Sequence, residues 1–117
     1  MIFSFPKEQR LCQRETIASL PVRGKVIFKY PIKAYYLPGG GRLPRYVISV
    51  PKRNFKRAVK RNLLKRRIRE SLRLNQKAIL GDFKADYLLV YIAKEICPSA
   101  VISASVCEIL GKSRSEQ

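Results

Sequence analysis

Between Lys52 and Arg73 the chain reads KRNFKRAVKRNLLKRRIRESLR, a stretch dense in cations in which Glu70 is the single acid. Guanidinium and ammonium groups at that density suit phosphate binding, arginine through a planar fork and lysine as a compact charge. Projected at about 100° per residue, Leu64, Ile68 and Leu72 form one stripe. Asn62, Lys65, Arg66, Arg69 and Arg73 fall within an arc of about 100° on the opposite side. The spacing predicts a helix from about Lys56 to Gln76, apolar toward a core and cationic outward. Like charges at i, i+3 and i+4 destabilise a bare helix, and Glu70 can pair with Arg66 or Arg73 to offset only ~0.3 kcal/mol each. Such a face is stable when a polyanion covers it. Arg61 is awkward, because it projects near the apolar stripe and only its place in the early turns lets it reach past the core edge. Lys52, Arg53, Lys56, Arg57 and Lys60 make a basic turn leading into the helix.

The rest of the chain agrees with a polyanionic partner. Against 25 Lys and Arg stand 8 Asp and Glu, a formal net charge of +17, while 46% hydrophobic residues are enough to fold a single domain over 1–117. Nucleic acid is the leading partner and an anionic membrane surface the second. The membrane reading is weaker because the apolar stripe is Leu and Ile without Trp or Phe for interfacial insertion. The longest apolar run, Tyr87 to Ala93, is far short of the roughly 20 residues that span a bilayer. No signal peptide is visible in MIFSFPKEQR, so a cytoplasmic protein is expected. Cys12, Cys97 and Cys107 have no CxxC spacing, and with no histidine in the chain a Cys/His zinc site is excluded. They read as reduced thiols.

Catalytic chemistry of the chain's own is not expected. Histidine is absent, the acids are scattered, and the one close pair, Asp82 with Asp86, reads as a solvated loop pair. No P-loop, GxGxxG or nucleophile elbow occurs. No catalytic residue, protein-bound metal or cofactor, or obligate protein partner is therefore assigned.

These groups need elements to position them. QRETIASL (Gln13 to Leu20) is helix-compatible, with Pro21 and Gly24 marking its end. KVIFKYPIKAYYL (Lys25 to Leu37) reads as one bent strand or two short ones around Pro31, and Pro38 to Gly41 as a turn. RYVISV (Arg45 to Val50) is a strand that Pro51 stops. After the basic helix, Gly81 and Asp82 precede a strand over Tyr87 to Ala93. A last helix covers roughly Ser99 to Leu110, followed by a polar tail over 111–117.

At the basic helix the sequence resembles the bacterial ribonuclease P protein family, whose signature is R-N-R-x-K-R-x-x-R after a strand ending in a basic turn. Here the helix reads RNLLKRRIRES, with Arg61, Asn62, Lys65, Arg66 and Arg69 matching position by position. Leu63 stands where the family usually has its second arginine. The preceding SVPKRNFKRA, the N-terminal PKEQRL and the Gly24 helix ending are also similar.

The resemblance implies an α/β (α+β) two-layer sandwich in the order αβββαβα, with a left-handed βαβ crossover carrying the basic helix. It implies a protein subunit that assists a catalytic RNA subunit in removing 5′ leaders from precursor tRNA. Magnesium would be required by the RNA-containing holoenzyme. The leader would lie in a cleft between the sheet and the first helix, lined by position by Ile17 and Tyr35. Phe28, Tyr30, Tyr36 and Tyr46 are unplaced stacking candidates, with Ile17 and Pro21 standing where the family often has Phe. Two other classes fit the charge and size: a structural RNA-binding protein such as a ribosomal one, and a DNA-binding architectural protein. For the second, no dimer-forming heptad is present.

Overall fold

The computed structural model describes residues 14–38, 44–81 and 83–115. Cys12, Asp82, the stretch Pro6 to Leu11 and the Gly39 to Gly41 turn lie outside the described residues. The elements run α1 (Arg14–Arg23), β1 (Lys25–Lys29), β2 (Ile32–Pro38), β3 (Arg45–Ser49), α2 (Ala58–Leu80), β4 (Ala85–Tyr91) and α3 (Ser99–Ser115). This is the αβββαβα order of a mixed α+β fold.

One sheet, ordered β1-β2-β4-β3, organises the chain. β1 and β2 form an antiparallel hairpin through Tyr30–Pro31, β2 pairs antiparallel with β4, and β3 pairs parallel with β4. A parallel neighbour needs a crossover, and α2 supplies it. Because strand residues alternate faces, Ile27, Ala34, Tyr36, Tyr46, Tyr87 and Leu89 turn to one side, where they join the buried stripe of α2 and the inner face of α3. Tyr36, Tyr87 and Tyr46 stack across three strands, with ring centroids 5.9 and 5.3 Å apart. Their hydroxyls need partners at this depth. Tyr87 donates to Ser113 Oγ at 2.7 Å, since Ser113 gives its own proton to the Leu110 carbonyl, and Tyr46 donates to Gln76 Oε1 at 2.9 Å.

α1 packs on β1, β2 and β4, whereas α2 and α3 pack chiefly on each other and on the sheet. Leu20 of α1 is fully buried yet is not part of the contiguous core under α2 and α3. Gly24 closes α1 by donating to the Leu20 carbonyl at 2.8 Å. A Cβ there would stand 2.6 Å from the Leu20 oxygen and 2.8 Å from the Tyr36 oxygen, so glycine is what lets the helix end against β2.

Several boundaries differ from the sequence expectation. α1 continues through Pro21 to Arg23, losing only the hydrogen bond an N–H at 21 would make to the Ile17 carbonyl. α2 starts at Ala58 and runs past Gln76 to Leu80, where Gly81 caps it at φ 57° and donates to the Lys77 carbonyl. β4 begins at Ala85, so Asp86 is a strand residue rather than part of a solvated loop pair, and it is buried. α3 extends beyond Leu110 to Ser115, because Ser113 is buried under Tyr87 and Arg114 donates to the Ile79 carbonyl at 3.0 Å.

Candidate nucleic-acid interface

The basic turn is built by anchoring one apolar residue among cations. Asn54 donates to the Pro51 carbonyl at 3.2 Å, and Phe55 buries its ring against Tyr91, 5.8 Å between centroids. Around that anchor Lys52, Arg53, Lys56, Arg57 and Lys60 all stand exposed. Arg57 is the N-cap of α2 and makes no side-chain capping bond, and no acid occupies the first turn. The positive end of the helix therefore adds to the side-chain charges instead of being neutralised by them.

Along α2, Leu64, Ile68 and Leu72 are fully buried, each contributing about 1.5–3 kcal/mol of burial. That fixes the rotation of the helix. Asn62, Arg66 and Arg69 are consequently exposed, with Lys65 and Arg73 half-buried at the margins. Of the two pairings open to Glu70, the structure forms the one with Arg73, at 2.8 Å. The remaining cations face outward along one side of the helix, beside the basic turn.

Two arginines behave differently. Arg61 is half-buried, and its Nη1 donates to the Phe55 carbonyl at 2.7 Å and to the Lys56 carbonyl at 2.9 Å. Its place near the apolar stripe directs it back to the turn. Arg67, which sequence reasoning did not single out, donates to the Cys97 carbonyl at 2.8 Å in the loop between β4 and α3. Its signal was angular position: at about 100° per residue Arg67 lies off the cationic arc, on the flank of the apolar stripe beside Leu64.

The sheet face turned away from α2 and α3 carries the other expected surface. Tyr35 is half-buried there, opposite Val26 of β1 and Leu88 of β4. Lys33 places its ammonium 5.3 Å from the Tyr35 ring centroid, a cation over an aromatic face. Phe28 shares this side and is 57% exposed. Ile17 lies within α1, the helix that packs on the same strands. Tyr36 and Tyr46 are core, which removes them from the stacking candidates, and Tyr30 sits in the β1–β2 turn with its hydroxyl donating to Glu95. Sequence reasoning also missed Arg45 and Asp86. They meet in a bidentate pair at 2.8 Å on the outer side of β3 and β4, and the carboxylate holds the guanidinium pKa above its usual value.

Four described acids have separate partners: Asp86 pairs with Arg45, Glu70 with Arg73, Glu108 with Lys29 and Lys112, and Glu95 accepts from the Tyr30 hydroxyl. Among the described residues no three His, Cys, Asp or Glu side chains gather as a metal site, and no helix is long and apolar enough to cross a membrane.

A sequence model of the Ribonuclease P family matches residues 5–111. The chain is 34% identical over 113 residues to the ribonuclease P protein component of Desulfatibacillum aliphaticivorans, covering 94% of this chain and 92% of that protein. With the ribonuclease P protein component of Porphyromonas gingivalis it shares 40% identity over 83 residues, 68% of this chain. That aligned segment spans 60% of the Porphyromonas protein's length. The fold matches the RNase P protein of Staphylococcus aureus with a TM-score of 0.77 at 22% identity, over 92% of this chain and 97% of that one. The RNase P protein of Thermotoga maritima gives 0.76 at 22% identity, over 88% and 96%.

Proposed function

The chain belongs to the Ribonuclease P family, and from that membership we propose that it is the RNA-binding protein subunit of a cytoplasmic ribonuclease P, assisting a catalytic RNA subunit in cutting 5′ leaders from precursor tRNA. The observation that carries this reading is the outward face of α2, where Asn62, Lys65, Arg66, Arg69 and Arg73 lie beside the exposed turn cations Lys52, Arg53, Lys56 and Arg57 and beside Lys60, which the structure places in the first turn of α2 rather than ahead of it. Held on one helix, the α2 side chains match a phosphate backbone with little ordering cost, which favours a structured RNA as the partner. The sheet face with Tyr35, Phe28 and Lys33, bordered by the α1 helix that contains Ile17, suits an unpaired leader. Bases stack on the aromatic rings while the ammonium meets a phosphate.

Chemistry is assigned to the RNA and its magnesium ions. A chain without histidine, in which Asp86, Glu70 and Glu108 are engaged by cations and Glu95 by the Tyr30 hydroxyl, brings no general acid–base pair together among its described residues. The experiment is reconstitution. Protein alone is expected to leave precursor tRNA uncut, and adding the ribonuclease P RNA encoded in the same genome is expected to give cleavage at low magnesium. Turnover by RNA-free protein would overturn the assignment.

A further inference from the structure

Arg61 and Arg67 occupy the same cationic helix as Arg66 and Arg69, yet both give a guanidinium to backbone carbonyls. Arg61 holds the Phe55 and Lys56 carbonyls of the basic turn, and Arg67 holds the Cys97 carbonyl of the loop after β4. The two loops are joined to each other by Tyr91. Its ring packs on Phe55, its hydroxyl donates to the Glu95 carbonyl at 2.7 Å, and the same oxygen accepts the Cys97 N–H at 2.9 Å. The contacts close a ring: α2 through Arg61 to the turn, Phe55 to Tyr91, Tyr91 to the 95–97 loop, and Arg67 back to α2. Tyr30 adds a hydrogen bond to the Glu95 side chain from outside that ring. Between the loops lies an open cleft of about 440 Å³ whose lining includes Lys56, Arg57, Lys60 and Lys94.

We propose that Arg61, Arg67 and Tyr91 form a brace that fixes the basic turn and the Lys94 loop relative to α2, so that these three are positioning residues of the RNA-binding surface. The inference rests on the reading of α2 as the RNA-binding element. Neither loop has regular secondary structure to hold its cations in place, and flexible cations lose affinity to ordering. Tyr91 carries no charge and is fully buried, so any effect of its hydroxyl on RNA binding passes through the brace.

The test measures affinity for the ribonuclease P RNA encoded in the same genome, and its salt dependence, in folded variants of the full chain. Tyr91→Phe is expected to weaken binding about three- to tenfold, as the loss of a hydrogen-bonded anchor does. Its salt slope should also become shallower although no charge has been removed, because loosened cations release fewer counterions. Arg67→Met should weaken binding similarly, and the double variant should lose less than the product of the two losses. Should Tyr91→Phe fail to fold, Arg61→Met with Arg67→Met gives the same comparison. Wild-type affinity and slope in folded Tyr91→Phe, or fully multiplicative losses in either pair, would overturn the brace. Arg66→Ala separates the two levels. If it leaves affinity unchanged, the RNA-binding reading of α2 has failed; if it weakens binding while Tyr91→Phe does not, the brace alone has failed.

Discussion

At the scale of single residues, what distinguishes one cation from another is where its donors are spent. Asn62, Lys65, Arg66 and Arg69 were legible because helical periodicity places them to one side of Leu64, Ile68 and Leu72, and burial of that stripe turns Asn62, Arg66 and Arg69 outward and leaves Lys65 at the margin. Arg61 was legible only as a cation crowded against the apolar stripe, not in its bonds to the Phe55 and Lys56 carbonyls, and Arg67 was not legible at all, since a hydrogen-bond partner 30 residues away leaves no periodic trace in the sequence. The same holds for Asp86, whose partner Arg45 lies 41 residues away in the chain. Tyr35 was placed only by resemblance, and alternation on β2 sets it on the opposite side from the buried Ala34 and Tyr36. If Tyr35 stacks on a leader base, Tyr35→Ala should cost ~1–3 kcal/mol of leader affinity. It should narrow the affinity gap between precursor and mature tRNA while leaving assembly with the RNA subunit intact. Fluorescence titrations with both tRNA forms decide it; an unchanged gap in a folded variant would make Tyr35 part of the structural surface only.

The elements were easier to read than their ends. Runs rich in β-branched and aromatic residues between Pro and Gly found the strands and the 3.6-residue period found α2, but α1 ran through Pro21 and α3 ran on to Ser115, where tertiary packing outweighed local signals. Gly24 shows how one position joins two elements. Gly24→Ala would force a Cβ to within 2.6 Å of the Leu20 oxygen, so α1 must shift from β2. Denaturant unfolding should show a loss of roughly 1–3 kcal/mol, in the range of overpacking. Tyr87 ties β4 to α3 and gives a pH signature. Burial raises its hydroxyl from 10.0 to about 12. A folded pKa above the unfolded one means stability fully present below pH 10 and lost as pH rises toward 12. The loss attributable to this group is about 3 kcal/mol. Unfolding of wild type and Tyr87→Phe at neutral pH and near pH 11.5 tests this. The wild type's advantage should shrink or reverse, and an advantage constant with pH would show that the hydroxyl does not titrate as placed.

For the whole molecule, a net charge of +17 on a domain with a continuous core presents a folded scaffold whose surface awaits a polyanion. The fold keeps two surfaces apart. α2 and its turn are one, and the sheet face with Tyr35 is the other, with the tyrosine-rich core between them. A single sequence shows the first as a charge pattern, while the second exists only once β1, β2 and β4 are aligned. The central claim is that the outward arginines of α2 hold the ribonuclease P RNA, and it is tested by RNA affinity across a salt series for wild type and Arg66→Ala/Arg69→Ala. Neutralising about six phosphates gives the wild type a log–log slope near −4 to −5. The double variant should bind at least about tenfold more weakly, with a slope shallower by about 1.5. A double variant with wild-type affinity, or a wild-type slope shallower than about −2, would contradict the account.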